Sequence, residues 1–389
     1  MRWRKQIIPV ISGLMLWGIT ACSLSSKKEE PAVFPEAVTE EIIPSDTLRL
    51  LFAGDLLIHT ALYPSAWSEG GDSSYRFSLP FQDVKDYISS ADVSVANLEV
   101  PLGGKPYSGY PMFSSPSEIA DAVKETGFDI LLLANNHAVD RGRRGVERTL
   151  DYLDRLGLTY TGAFRDSLER SEKYPLLIDR NHIRVALLNY TYGTNGMPVT
   201  PPVVVNRIDT LQMREDIRKA REQKVDYIIA CLHWGYEYQQ KEHAEQREVA
   251  RFLADEGIDL IVGGHPHVVQ PYKEITRKTG EVVPVIYSLG NFISNQQWRY
   301  ADGGIVFDVT LIKKKDAPVT ASFAYEPVWV NKYPTNGKAV YRLIPVNRFY
   351  HDPGKYDLDA DRRYRMEEFY LDTRRLLPDL PYSEYYGYP

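Results

Sequence analysis

The stretch Gly263-Gly264-His265-Pro266-His267 sets two imidazoles one residue apart, immediately after the apolar run Ile258-Asp259-Leu260-Ile261-Val262. Other polar groups stand in the same relation to apolar runs. Asp55 and His59 follow the first, Asn97 and Glu99 the second, Asn135, Asn136 and His137 the third, and His233 a later one. Imidazole nitrogens with carboxylate and amide oxygens suit Zn, Mn or Fe. A carboxylate in such a set can bridge two ions about 3.5–4 Å apart and so clamp the attacking and leaving oxygens of a displacement. Read as a turn, the Gly-His-Pro-His stretch supplies two ligands to one rim. Taken singly, each position has a plainer reading, because an Asp after a strand commonly caps a helix and Ala-Asn-Asn-His can form a turn. The remaining three of the eight histidines, His182, His243 and His351, lie in polar or helical text and read as surface residues.

These residues need a scaffold that gathers positions far apart in the chain. Seven apolar runs, at 48–55, 93–99, 129–137, 183–192, 226–235, 259–267 and 284–292, have the length and β-branched content of strands buried on both faces. Amphipathic stretches at 115–129, 143–159 and 245–260 predict helices, each running into a glycine before the next strand. The first opens on a Ser-Glu capping pattern. The alternation βαβα predicts an α/β fold of layered sheets and helices. In open α/β sheets ligands bind beyond the carboxyl ends of the strands, which would bring the polar run ends onto one rim. Beyond residue 303 the text alternates and is β-branched, predicting antiparallel strands that finish a sheet. The aromatic end, with Tyr364, Tyr370, Tyr382, Tyr385, Tyr386 and Tyr388, reads as a packed surface segment.

At 389 residues with 43% apolar content, the chain has ample material for a buried core. A net charge of -6 and a pI near 5.8 provide no global basic field, which argues against nucleic acid as the main partner. Arg2, Arg4 and Lys5 precede a short apolar run ending in small residues, the pattern of a secretory signal peptide too short to serve as a membrane span. Ile19-Thr20-Ala21-Cys22 resembles the bacterial lipobox, which makes Cys22 the expected lipidation site. Cys231, the other cysteine, sits in an apolar run and reads as buried and inert, so no disulfide framework is expected. The expected plan is a lipoprotein signal peptide over 1–22, a flexible polar tether over 23–45, a main domain over 46–315, and C-terminal strands with a Tyr-rich extension over 316–389 packing on it.

The combination of Phe-Ala-Gly-Asp-Leu-Leu-Ile-His, Val-Ala-Asn-Leu-Glu, Leu-Ala-Asn-Asn-His-Ala-Val-Asp-Arg-Gly, Leu-His-Trp-Gly, Gly-Gly-His-Pro-His and Tyr-Ser-Leu-Gly-Asn-Phe across residues 52–293 resembles the calcineurin-like metallophosphoesterases. It is most similar to their bacterial CapA branch, the poly-γ-glutamate capsule biosynthesis proteins. The resemblance implies a β-sandwich flanked by helices, in α-β-β-α layers, holding one or two divalent ions (Mn, Fe or Zn). It implies Asp55, His59, Glu99, Asn136, His233, His265 and His267 as metal ligands, with Glu99 where a bridging aspartate is usual. His137 matches the histidine that contacts the substrate or leaving group. Asn97, Asn135, Arg141 and Arg143 are expected as substrate contacts, the two arginines reading equally well as solvated helix-entry residues. Three departures from the wider pattern stand out: Leu57 replaces the histidine of Asp-x-His, Asn97-Leu98-Glu99 replaces the Gly-Asp-x-x-Asp motif, and Asn135 takes the place of the glycine before Asn136.

The expected function is an envelope-anchored capsule biosynthesis protein with a hydrolase-like site. It would act on an anionic polymer or small anionic substrate, with capsule synthesis or export proteins as partners. The lipid anchor would sit on the outer side of the cytoplasmic membrane or in the outer membrane. A general envelope metallophosphoesterase and a non-enzymatic polymer-binding or assembly component remain alternatives on the same scaffold.

Overall fold

Side chains along the first apolar run alternate between two buried environments, as the two-residue period of a strand requires. Leu50 and Phe52 face one hydrophobic cluster, and Leu51 and Ala53 face another. The computed structural model describes residues 45–386 with the exception of 316. Cys22, the expected signal segment and Tyr388 lie outside the described residues, as does the expected tether apart from Ser45.

The strands in chain order begin with β1 (Ser45–Leu56), β2 (Val93–Leu98), β3 (Ile130–Leu132), β4 (Thr159–Thr161) and β5 (Ala163–Phe164). Next come β6 (Leu176–Arg180), β7 (Ile183–Thr191), β8 (Val204–Val205), β9 (Tyr227–His233), β10 (Leu260–Gly264) and β11 (Val269–Thr276). The last are β12 (Val282–Leu289), β13 (Asn291–Ile293), β14 (Gly303–Lys314), β15 (Thr320–Thr335) and β16 (Lys338–Pro345). One sheet runs β16-β15-β14-β1-β2-β3-β4, with β13 pairing to β1, and a second runs β11-β12-β10-β9-β7-β6. Within the first, β1 to β4 are parallel and β14 to β16 antiparallel. In the second, β7, β9, β10 and β12 are parallel, with β6 and β11 as antiparallel edges. All seven apolar runs read from the sequence are strands.

The two sheets pack face to face. Leu48, Leu50, Phe52, Val93 and Val95 of the first meet Val185, Leu187, Ile229, Leu260 and Val262 of the second in one buried cluster. On the outer face of the first sheet, Ala96, Leu131 and Leu133 pack against Ile119 and Val123 of helix Glu118–Thr126 and Leu150 and Leu153 of helix Gly142–Leu156. On the outer face of the second, Ala186, Leu188, Ala230 and Val285 pack against Met213, Ile217, Leu253 and Ala254 of helices Thr210–Glu222 and Ala244–Glu256. Helix, sheet, sheet and helix are thus stacked as layers.

Helix Glu118–Thr126 ends at Gly127, whose φ of 106° is a left-handed C-cap that glycine adopts without penalty. At its other end the expected capping bond is missing, because Ser117 is itself in a helical conformation and its side chain accepts no cap bond. The strands beyond residue 316 join the main sheet directly, since β15 pairs along β14 and β16 along β15. Helix Ala360–Leu376 covers their far end, burying Met366, Phe369 and Tyr370 against Trp329 and Val346. Tyr370 stacks on Tyr382 while Tyr364 stays largely in solvent. Among the described residues, no helix is long and apolar enough to cross a membrane.

Candidate metal centre

The carboxyl ends of β1, β2, β9 and β10 meet at one place, and the polar residues at those ends converge there. β1 arrives with a register shift between Ala53 and Asp55. Gly54 permits this, because a Cβ there would lie 2.0 Å from the carbonyl oxygen of Gly290. The Asp55 amide then donates to that same carbonyl at 3.0 Å. The fully buried Asp55 carboxylate accepts from Asn97 Nδ2 at 2.8 Å and from the backbone amide of His265 at 3.3 Å, and lies 3.2 Å from His267 Nδ1. Burial works to raise its pKa, yet these hydrogen bonds and the neighbouring imidazoles His267 and His233 hold it below the ordinary carboxylate value.

Glu99, also fully buried, stands immediately after β2. Its Oε1 is 3.3 Å from His233 Nε2 and 3.8 Å from His267 Nε2, and makes no hydrogen bond. Two ligand groups emerge, Asp55 with Glu99 and His233, and Glu99 with His265 and His267, each having ligand atoms within 4.8 Å of one another. Glu99 belongs to both. His233 Nε2 also lies 2.8 Å from Asn136 Oδ1, which adds the amide oxygen to this side of the centre.

β10 ends at Gly264, and the chain then turns through His265 at φ 95° and His267 at φ 58°. Left-handed backbone at two non-glycine residues is costly and is characteristic of functional sites. His265 Nδ1 is buried without a hydrogen-bond partner, and its ring lies 4.7 Å from that of His233. Burial first, and then the surrounding imidazoles, push the His265 pKa well below its ordinary value, so the ring is neutral and its nitrogen free to ligate. For His267, burial is outweighed by Glu99 and Asp55, which raise its pKa to about 9.

The buried His137 ring points its Nδ1 at Asp140 Oδ2, 2.7 Å away, and sits edge-on to Phe113 at 4.7 Å. The same Asp140 oxygen accepts from the Phe113 amide at 2.7 Å, fixing the carboxylate and through it the imidazole. Sequence reasoning missed Asp140, although its spacing three residues after His137 was visible. It also missed Asn195, whose Oδ1 is 3.4 Å from Asn136 Nδ2, and Asn291, which bonds the His267 carbonyl at 3.2 Å.

Several expected site residues sit elsewhere. His59 is absent from both ligand groups. Its Nδ1 lies 3.1 Å from the Leu57 carbonyl and accepts from the Asn295 amide at 3.2 Å. Burial lowers its pKa to about 4, with His267 and His137 adding to the effect. Asn97 and Asn135, expected to meet substrate, spend their hydrogen bonds inside the protein. Asn97 holds Asp55, and Asn135 donates to the Leu98 carbonyl at 2.8 Å and accepts from the His137 amide at 3.2 Å. Arg143 is exposed and pairs with Glu147 at 2.6 Å, while half-buried Arg141 lies over Gly103. His243 is half-buried against Tyr236 instead of lying free on the surface. Cys231 is buried as expected, and burial raises its thiol pKa.

The donor set fits a divalent ion. Two buried ligand atoms, Glu99 Oε1 and His265 Nδ1, have no hydrogen bond within the protein, and burying such groups unpaired is costly unless something else satisfies them. Layered sheets with imidazoles and carboxylates at their joined strand ends define an α/β protein with a residue set compatible with a divalent metal. The family model of the bacterial capsule synthesis protein PGA_cap matches residues 49–296, and the chain belongs to that family. It is 30% identical to the capsule biosynthesis protein CapA of Bacillus anthracis over 287 residues, 69% of this chain and 66% of that one, just under two thirds of the relative's length. To the PGA biosynthesis protein CapA of Bacillus subtilis it is 28% identical over 315 residues, 77% of this chain and 74% of that one. A solved 5'-nucleotidase from Candida albicans overlaps with a TM-score of 0.37 and 14% identity, over 86% of this chain and 59% of that one, a likeness too low to bear on the fold.

Proposed function

We propose that this protein is anchored in the cell envelope and hydrolyses an anionic capsule polymer of the poly-γ-glutamate type at a divalent-metal centre. The observation that carries the reading is Glu99 Oε1, a buried carboxylate oxygen without a hydrogen bond that belongs to both ligand groups. Membership of the capsule synthesis family supports the polymer as substrate. Asp55, Glu99, Asn136, His233, His265 and His267 would hold one or two ions of Mn, Fe or Zn. Such an ion supplies a Lewis acid for the oxygen that gains charge in the reaction.

The remaining chemistry belongs to the chain. Hydrolysis adds water across the bond that breaks, and the leaving atom needs a proton. His137 would give it, with Asp140 holding the imidazole in one orientation through its Nδ1. The Asn135 side chain, accepting from the His137 amide, fixes the turn that carries the ring. Anchoring would occur through lipidated Cys22, leaving the folded part on a polar tether, and other capsule synthesis or export proteins would be neighbours.

The test is to incubate the purified, Mn-supplied protein with poly-γ-glutamate and follow chain length by size-exclusion chromatography. Shortening that disappears in the His265→Ala, His267→Ala double variant supports the proposal. Turnover of a chromogenic phosphodiester without polymer shortening would favour a general metallophosphoesterase. Inactivity toward both would favour a scaffold that binds polymer without cutting it. For the anchor, Cys22→Ser should move the protein from the membrane fraction to the soluble fraction.

A further inference from the structure

Three large aromatic side chains stand partly in solvent around the metal centre. Tyr192, Tyr238 and Trp298 are 42%, 44% and 50% exposed. Scattered exposed aromatics are ordinary on a protein surface. These are gathered on the ligand histidines, with the Tyr192 ring 4.7 Å from His265 and the Tyr238 ring 6.0 Å from His267. Trp298 meets Tyr238 edge-on at 5.4 Å. The two tyrosines are also held in place. Tyr192 donates from its hydroxyl to Asn195 Oδ1 at 3.1 Å, and the Tyr238 hydroxyl accepts from Gln296 Nε2 at 3.0 Å. The Tyr238 backbone donates to the Pro266 carbonyl between the two histidines at 2.8 Å and adopts a left-handed φ of 63°. A non-glycine residue held in that region is paid for by the rest of the fold, as at other functional positions.

On the Tyr192 side a cavity of about 680 Å³ opens, lined by Tyr192, Asn195, Met197, Val203 and Arg207 among others. The Arg207 side chain is exposed and makes no ion pair among the described residues. An unpaired guanidinium is a ready partner for a carboxylate, and flat aromatic faces stack on planar amides. We infer that Tyr192, Tyr238 and Trp298 form a stacking platform and Arg207 a carboxylate anchor, which together hold a γ-glutamyl polyamide chain across the centre. The inference rests on the polymer reading above and names the residues that would position the chain. These are positioning residues: they hold the amide planes and one flanking α-carboxylate while the reacting bond lies over the centre.

The experiment is a fluorescence titration of the full-length, metal-loaded protein with poly-γ-glutamate oligomers, with dextran and inorganic phosphate as separate probes. Saturable quenching by the oligomers, absent in Trp298→Phe, is expected. Tyr238→Ala and Arg207→Gln, which keep the Trp298 reporter, should each weaken oligomer affinity roughly three- to tenfold, as should Trp298→Ala when binding is followed by isothermal titration, while metal content and melting temperature stay as in the parent. The Arg207→Gln loss should shrink at high salt, a readout that a packing role would not move. Unchanged affinity in these variants, or oligomers binding no better than dextran or phosphate, overturns the platform. The two readings fail separately. A protein that cuts polymer but whose platform variants bind it normally refutes only this inference, and one that binds oligomers through the platform without cutting them refutes only the hydrolase.

Discussion

Glu99 Oε1 lies 3.3 Å from His233 Nε2, joining a carboxylate that follows β2 of one sheet to an imidazole at the end of β9 of the other. Because Glu99 belongs to both ligand groups, removing its charge damages both at once. Glu99→Gln keeps the size of the side chain and is expected to bind at least tenfold less metal than the parent, a loss in the range seen when even supporting groups of metal sites are changed. Isothermal titration with Mn or Zn checks this, with far-ultraviolet circular dichroism showing that the variant is folded. Parent-like affinity in the variant would remove Glu99 from the ligand set.

His137 and Asp140 divide a different task. His137→Gln should lower the hydrolytic rate about 10²–10⁴-fold, the range expected for loss of a general acid. Asp140→Asn should cost less, roughly ten- to a hundredfold, because the ring remains but loses its partner at 2.7 Å. Neither should change metal content. Steady-state rates beside elemental analysis of the same samples separate a proton-transfer role from a ligand role.

Gly54 lets β1 bring Asp55 alongside Gly290. Gly54→Ala places a methyl group 2.0 Å from a backbone oxygen that cannot move away as a side chain would. Its expected cost is about 3 kcal/mol or more of folding stability. Gly193→Ala meets nothing within 4 Å and should stay within about 1 kcal/mol of the parent. Denaturant unfolding midpoints of the two variants give the comparison.

Glu326 is fully buried on β15, where burial raises its pKa to about 8 even though the amide and side chain of Asn347 donate to it at 3.0 and 2.7 Å. The folded state therefore keeps a proton that the unfolded carboxyl, with its ordinary value of 4.5, has released. Its contribution to stability is fully present below the unfolded value and is lost as pH rises through the folded one. The slope is at most about 1.4 kcal/mol per pH unit. Glu326→Gln should flatten this loss and melt at a higher temperature than the parent at pH 9, with little difference at pH 5. Equal melting temperatures at pH 9 would mean that the fold does not raise the pKa of the carboxyl.

Much of this architecture was legible in the sequence, because a strand buried on both faces announces itself as an apolar run and a helix C-cap as glycine. The convergence of strand-end residues followed from the parallel order alone. The assignment of each side chain did not, since it depends on hydrogen bonds between residues such as Asp55 and His267, 212 positions apart. Asn97 looked like a free amide after a strand, yet it is used to orient Asp55. His59 is turned toward backbone at Leu57 and Asn295, a local geometry that spacing from Asp55 does not encode. Asp140 went unread because an acidic residue three positions after a histidine also fits a plain turn.

Metal content tests the central claim most directly. Elemental analysis of the purified parent protein, after exposure to Mn, Fe and Zn and removal of free ions, should find about one or two ions per chain. The folded His265→Ala, His267→Ala variant should carry markedly less. A parent protein that retains no metal under any of these conditions, or a double variant that retains as much as the parent, would contradict a metal centre at this rim.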